Sequence, residues 1–129
     1  MEQADVKILV IDDVNAVRIQ FRDLLRSFGF KNVKLAGNAQ EAKAALEAEP
    51  FHLVLCDWHM TPVNGYEFLK FVRQHPALGK IAFIMVTAET TREMVLEAIQ
   101  SGVDDYIIKP LTLNHMSKIY SVLLKRQVL

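Results

Sequence analysis

Four short apolar runs, each stopped by a charged or hydroxyl side chain, constrain this chain more than any other feature. Ile8-Leu9-Val10-Ile11 stops at Asp12-Asp13, and Leu53-Val54-Leu55-Cys56 stops at Asp57. Phe83-Ile84-Met85-Val86 stops at Thr87, and Tyr106-Ile107-Ile108 stops at Lys109-Pro110. Short apolar runs with turn-forming flanks read as strands buried on both faces, as in a parallel sheet. Parallel neighbours share a direction, so their polar ends would emerge along one edge. Three carboxylates, a hydroxyl and an amine would then share a small volume. Such crowding opposes folding, and it points to a function.

Helical stripes separate the runs. A helix is predicted over about 14–28, with Val14, Val17, Phe21, Leu24, Leu25 and Phe28 on one face and Gly29 after its end. A strand at about 33–36 and a helix at 39–49, ended by Pro50, come next. The strand at 53–56 leads to a helix at 65–74, and the strand at 81–86 to one at 91–101 closed by Gly102. The strand at 106–108 and a helix at 113–125 complete the pattern. Asn38 and Glu41, Asn64 and Glu67, and Thr90 and Glu93 each have the spacing of a capping box, so those acids read as structural. Five strand–helix units in a row imply a parallel sheet with helices on both faces. Right-handed crossovers leave few topologies.

Composition narrows the class of function. A chain of 129 residues suits one domain that buries roughly two thirds of its unfolded surface. Fifteen basic and fifteen acidic residues cancel, so neither nucleic acid nor a membrane is marked as the main partner. Cys56 is the single cysteine, which excludes an internal disulfide, fits a reducing cytoplasm, and reads as a small core residue. Residues 1–5 lack the features of a signal peptide. The longest apolar stretch, 81–86, is far too short to cross a bilayer. A cytoplasmic location is expected.

In open α/β sheets, ligands bind beyond the carboxyl ends of the strands where the strand order reverses. Asp12, Asp13 and Asp57 would meet there and demand a counter-charge. An all-oxygen site of this kind favours Mg2+, which bridges to phosphate oxygens. Phosphoryl transfer needs a nucleophile, for which Asp57 serves, and donors for the equatorial oxygens, for which Thr87 and Lys109 serve.

The set Asp12-Asp13, Asp57, Thr87 and Lys109-Pro110 resembles the receiver domain of two-component response regulators. The stretches Cys56-Asp57-Trp58-His59-Met60 and Met85-Val86-Thr87-Ala88-Glu89 are similar to the chemotaxis members of that family. The resemblance covers essentially all of 1–129 as one receiver domain, with no effector domain left over. It implies a flavodoxin-like α/β fold, a doubly wound five-stranded parallel sheet in the order 2-1-3-4-5 with five helices. It implies a stand-alone response regulator phosphorylated on Asp57 by a histidine kinase, catalysing only its own phosphoryl transfer and dephosphorylation. Mg2+ would be held by Asp12, Asp13, Asp57 and the backbone carbonyl of His59, while Thr87 and Lys109 contact the phosphoryl group. Thr87 and Tyr106 would form the switch, and His59 and Glu89 would tune dephosphorylation. The implied output face combines the fourth helix, last strand and last helix, with Arg92, Glu97, Gln100, Lys118 and Lys125 as exposed candidates. Its implied partners are the flagellar motor switch protein and a phosphatase.

Two positions depart from the family pattern. His59 stands where the chemotaxis members commonly carry Asn, and Pro62 falls one residue later than the usual proline. Rival readings remain at this point. A phosphorelay shuttle or a receiver outside chemotaxis would use the same residues. A Mg2+-dependent aspartyl-phosphate hydrolase would want a second acid where His59 stands. A flavodoxin would want a hydroxyl- and glycine-rich loop where Asp12-Asp13-Val14-Asn15 stands, and no GxGxxG occurs. His52, His75 and His115 share no metal-ligand spacing.

Overall fold

The computed structural model describes residues 1–88 and 91–129. Five parallel strands, β1 (Lys7–Ile11), β2 (Asn32–Ala36), β3 (Leu53–Asp57), β4 (Ala82–Thr87) and β5 (Asp105–Ile108), lie in the order β2-β1-β3-β4-β5. Between and after them run α1 (Asn15–Ser27), α2 (Ala39–Ala48), α3 (Gly65–Gln74), α4 (Arg92–Gln100) and α5 (Met116–Lys125). This is the flavodoxin-like arrangement expected from the sequence. Among the described residues, no helix is long and apolar enough to cross a membrane.

The apolar runs become strands because alternate residues face two separate cores. Leu9, Ile11, Val54, Cys56, Phe83 and Met85 face α2, α3 and α4. Ile8, Val10, Leu53, Leu55, Ile84 and Ile107 face the buried stripes of α1 and α5. Every residue of β3 and β4 is buried, so each large side chain contributes about 1.5–3 kcal/mol of burial. Polar substitution in either strand has no solvent face to turn to.

Local signals set the helix ends, with three departures from the sequence reading. Asn64 and Glu67 form the expected capping box at α3. At α2, Asn38 accepts from the Glu41 amide, but the Glu41 carboxylate takes the Gly37 amide instead of closing the box. Thr91 caps α4 by accepting from the Met94 amide. The expected pair of Thr90 with Glu93 falls on a residue outside those described. The last helix begins with a separate 3-10 turn, Leu113–His115, closed by Thr112 and His115. A second 3-10 turn, Gln3–Asp5, precedes β1.

An acid at the amino edge of the sheet ties four elements together. The Asp104 carboxylate accepts from the Phe83 amide at 2.9 Å, from Arg73 Nη2 at 3.2 Å and from Arg126 Nε at 2.9 Å. Its own amide donates to the Phe83 carbonyl at 2.9 Å. Arg73 further donates to the carbonyls of Gly102, Gly79 and Ile81. The Asp104 side chain is 4% exposed, so removing it leaves two guanidinium groups facing each other in a nearly dry site. Asp104→Ala is expected to cost about 3 kcal/mol or more in urea unfolding, as loss of one partner of a buried pair does. Asp23→Ala, at an exposed ion pair, is expected to change stability by less than about 0.5 kcal/mol.

Candidate functional site

Strand register decides which side chains meet at the carboxyl edge. Ile11 is level with Cys56, so Asp12 is level with Asp57. Asp57 is level with Val86 and Thr87 with Ile108, which places Thr87 and Lys109 one step beyond. Main-chain bonds continue the ladder past the strand ends: Asp12 N to Ala36 O at 3.1 Å, Trp58 N to Val86 O at 3.2 Å, and Lys109 N to Thr87 O at 2.8 Å. The edge is therefore a rigid platform. Among the described residues, the polar residues buried as a whole are Asp12, Asp57 and Thr87, and all three belong to it.

One oxygen from each of Asp12, Asp13 and Asp57 lies within 4.8 Å of the other two. Asp13 is exposed, whereas Asp12 and Asp57 are buried. Lys109 reaches across the sheet to both buried acids, with Nζ 2.6 Å from Asp12 Oδ2 and 3.4 Å from Asp57 Oδ2. Asp12 also accepts the Val14 amide at 2.9 Å, and its carbonyl accepts from Arg18. The Asp57 carboxylate accepts the His59 amide. An oxygen-only triad with one exposed member fits a hard divalent cation by donor chemistry and spacing.

The electrostatics follow the geometry. Burial, then the Asp12 charge, push the Asp57 carboxyl above the usual carboxylate range, while Lys109 and the His59 amide pull it back only partly. Burial lowers the Lys109 ammonium, but the Asp12 hydrogen bond and the Asp57 and Asp12 charges outweigh it, so it titrates above the ordinary lysine value. Cys56 is fully buried and its thiol is held well above the ordinary value by burial, then by Asp57 and Asp12. It is an inert core residue, as its place in the run suggests.

A glycine sets the loop that follows β3. The Gly65 amide donates to the Trp58 carbonyl at 2.8 Å. A β-carbon at Gly65 would collide with the Asp57 carbonyl oxygen and stand 2.9 Å from both Met85 Sδ and Trp58 Cα. Only glycine lets α3 begin this close to the acid. The Thr61–Pro62 and Lys109–Pro110 peptide bonds are cis.

Of the residues expected at the site, Asp12, Asp13, Asp57 and Lys109 meet, and strand register puts Thr87 at the same edge. His59 is exposed beside Asp57. Glu89 lies outside the described residues. Tyr106 is half-buried and shares with Thr87, Trp58, Met85 and Met94 a void of about 10 Å³, at the lower limit for one water. Lys118 is not a free surface charge. It donates to the Tyr106 carbonyl at 2.9 Å, lies 4.9 Å from that ring's centroid and pairs with Asp105 at 3.7 Å. The sequence reading missed Arg18, Gly65 and the parallel stack of Trp58 on Tyr66 at 5.6 Å. Only the Asn64-Gly65 step carried a signal for any of them, as a helix start next to a close approach.

Comparison with known proteins agrees with this geometry. The response regulator receiver domain model matches residues 8–121. The chemotaxis protein CheY-3 of Vibrio cholerae is 38% identical over 108 residues, 84% of this chain and 83% of that protein. A probable chemotaxis protein CheY of Rhizobium etli is 35% identical over 111 residues, 86% of each. Among solved structures, a CheY-like response regulator receiver domain protein of Methanospirillum hungatei superposes with a TM-score of 0.86 at 28% identity, covering 95% of this chain and 96% of that one. CheY4 of Vibrio cholerae gives 0.84 at 27%, covering 92% and 98%.

The raised Asp57 titration has a signed consequence for stability. The folded protein holds the Asp57 proton more tightly than the unfolded chain does. That contribution is present below the ordinary carboxylate range and is lost as pH rises through the elevated value. Asp57→Asn is expected to flatten this fall and to be more stable than the parent at neutral pH without metal. Urea unfolding of both proteins from about pH 4 to pH 8 in EDTA measures it; parallel curves would contradict the assigned strain.

Proposed function

The chain belongs to the response regulator receiver domain family, and from that premise we propose that it is a CheY-like switch phosphorylated on Asp57 by a histidine kinase. The observation that carries the reading is Lys109 spanning Asp12 and Asp57 at an edge otherwise made of carboxylates. An ammonium so placed offsets the negative charge that a phosphoryl group would bring.

In the proposed reaction an Asp57 carboxylate oxygen attacks the phosphorus of a phosphohistidine. The new P–O bond forms as the P–N bond breaks, and the electron pair leaves on the imidazole, which takes a proton from solvent. Lys109 turns from Asp12 and Asp57 to an equatorial phosphoryl oxygen, and the Thr87 hydroxyl donates to another. Asp12, Asp13, Asp57 and the His59 carbonyl would hold Mg2+, which when bound would offset the charge on the phosphoryl oxygens and the acceptor carboxylate. Hydrolysis of the acyl phosphate returns Asp57, with His59 and Glu89 positioned by sequence to govern water access. Thr87 and Tyr106 then bias the face formed by α4, β5 and α5. The proposed target is a flagellar motor switch protein and the proposed second partner a phosphatase, a chemotaxis role in keeping with relatives named as chemotaxis proteins. Its chemistry would be confined to forming and hydrolysing its own acyl phosphate, the behaviour of a regulator and not of a general enzyme.

Four outcomes test this. Asp57→Asn is expected to abolish acid-labile labelling by acetyl phosphate with Mg2+, and undiminished labelling would sink the assignment. Trp58, the single tryptophan, adjoins Asp57, so Mg2+ is expected to change its emission saturably. Asp13→Asn, at an exposed position, is expected to weaken that titration without loss of fold. His59→Asn is expected to alter the rate of phosphate loss; equal rates between about pH 6 and pH 8 would remove His59 from that role.

A further inference from the structure

A cleft of about 430 Å³ opens between α2 and α3, on the sheet face opposite α1 and α5. Its origin is a mismatch of side-chain size. The face that α2 turns inward is Ala39, Ala42 and Ala45, all buried, whereas α3 presents Phe68 and Phe71. Alanines cannot reach across to fill the space between the helices. The cleft is closed at one end by Pro62 and Val63, which belong to the loop leaving β3. Phe71 and Val63 remain half-buried and Pro62 is exposed.

The polar residues lining the cleft, Asn38, Gln40 and Lys43, all come from α2 and its N-cap. Lys43 is the only charged residue lining it, and no carboxylate does so among the described residues. Its ammonium lies over the Phe71 ring, 5.0 Å from the centroid. An apolar floor beside one cation favours a ligand with an apolar body and a single anionic head. Eight residues line the cleft, far fewer than the roughly 20–30 per side of a stable protein interface. Its volume instead falls within the roughly 300–1,000 Å³ of small-molecule pockets.

We propose that this cleft binds a small amphipathic carboxylate, aliphatic or aromatic. The apolar body rests on Phe68, Phe71, Pro62 and Val63, and the carboxylate pairs with Lys43. The site is separate from the acidic edge and requires neither phosphorylation nor metal. It nevertheless touches the loop that leaves Asp57, so an occupant would press on the segment next to the acceptor.

Amide spectra of the full, unphosphorylated chain in EDTA test this, titrated with monomeric decanoate, 4-phenylbutyrate, decylammonium and decan-1-ol. Saturable shifts are expected at 39–43, 62–63 and 68–71 with both carboxylates. Decanoate is expected to bind at least about tenfold more tightly than decylammonium, the worth of one charge-assisted contact. Lys43→Glu, at an exposed position, is expected to reverse that order, and Lys43→Gln to remove it. The proposal is overturned by shifts that do not saturate, by equal response to all four probes, or by preference unchanged in Lys43→Glu. Saturation by an acidic amphipathic helical peptide, with none by the carboxylates, would replace the small ligand with a protein partner. Because Asp57 chemistry takes no part, failure here leaves the phosphoryl assignment untouched, and the reverse holds too.

Discussion

A single ammonium, that of Lys109, holds together an edge that its carboxylates would otherwise push apart. Asp12 and Asp57 are buried with oxygens within 4.8 Å of each other. At an effective dielectric of about 20 their repulsion is roughly 3 kcal/mol, a large share of the stability of a domain this size. Lys109 lies close to both and offsets it, yet Asp57 still titrates high, so compensation is incomplete. That residual strain is what a cation or a phosphoryl group can relieve. Sheet register fixes the acids, and Lys109 is fixed by the Thr87 carbonyl that receives its amide. The edge cannot relax by moving apart.

The two ends of the sheet handle charge in opposite ways. At the amino edge, Asp104 faces two guanidinium groups and one amide, and its own amide is paired, so the cluster is saturated. At the carboxyl edge, acids outnumber the one lysine and Asp13 opens to solvent. A saturated cluster anchors, and an undersatisfied one binds. The Asp104 cluster fixes the start of β5 against β4, and four residues later that strand delivers Lys109. The anchor thus supports the site from the far side of the domain.

The sheet was legible because burial on both faces forces near-continuous apolar runs, and those runs stop where the chain reaches the edge. Asp57 and Thr87 are the last residues of their strands, one place beyond the apolar stretch that announced each of them. The site was legible for the same reason, since each member sits next to a run. The Arg73–Asp104–Arg126 cluster carried no such sign. Its members are separated by 31 and 22 residues, lie outside any periodic pattern, and meet only through tertiary packing. Lys118 read as a solvated charge because helical spacing does not record that the Tyr106 ring and carbonyl lie beneath it. The cleft between α2 and α3 was hidden because alanines are good helix formers, and propensity says nothing about the space they leave.

The void beside Thr87 limits how the proposed switch can work. It has room for about one water, so a Tyr106 ring that entered it would have to displace its neighbours. Met94 or Trp58 must shift with it, and a close-packed interior resists half measures. A switch through this point would therefore be close to two-state, which is the behaviour a phosphoryl group needs if it is to select one conformation. Lys118 holds Tyr106 in its half-buried position through the carbonyl and the ring. Trp58 is the member that reaches furthest. It adjoins Asp57, lines the void, and stacks parallel on Tyr66, which in turn lies under Lys70 at 4.5 Å. Any shift that makes room for Tyr106 at Trp58 must disturb that stack, so the same event that alters β5 also alters the exposed side of α3.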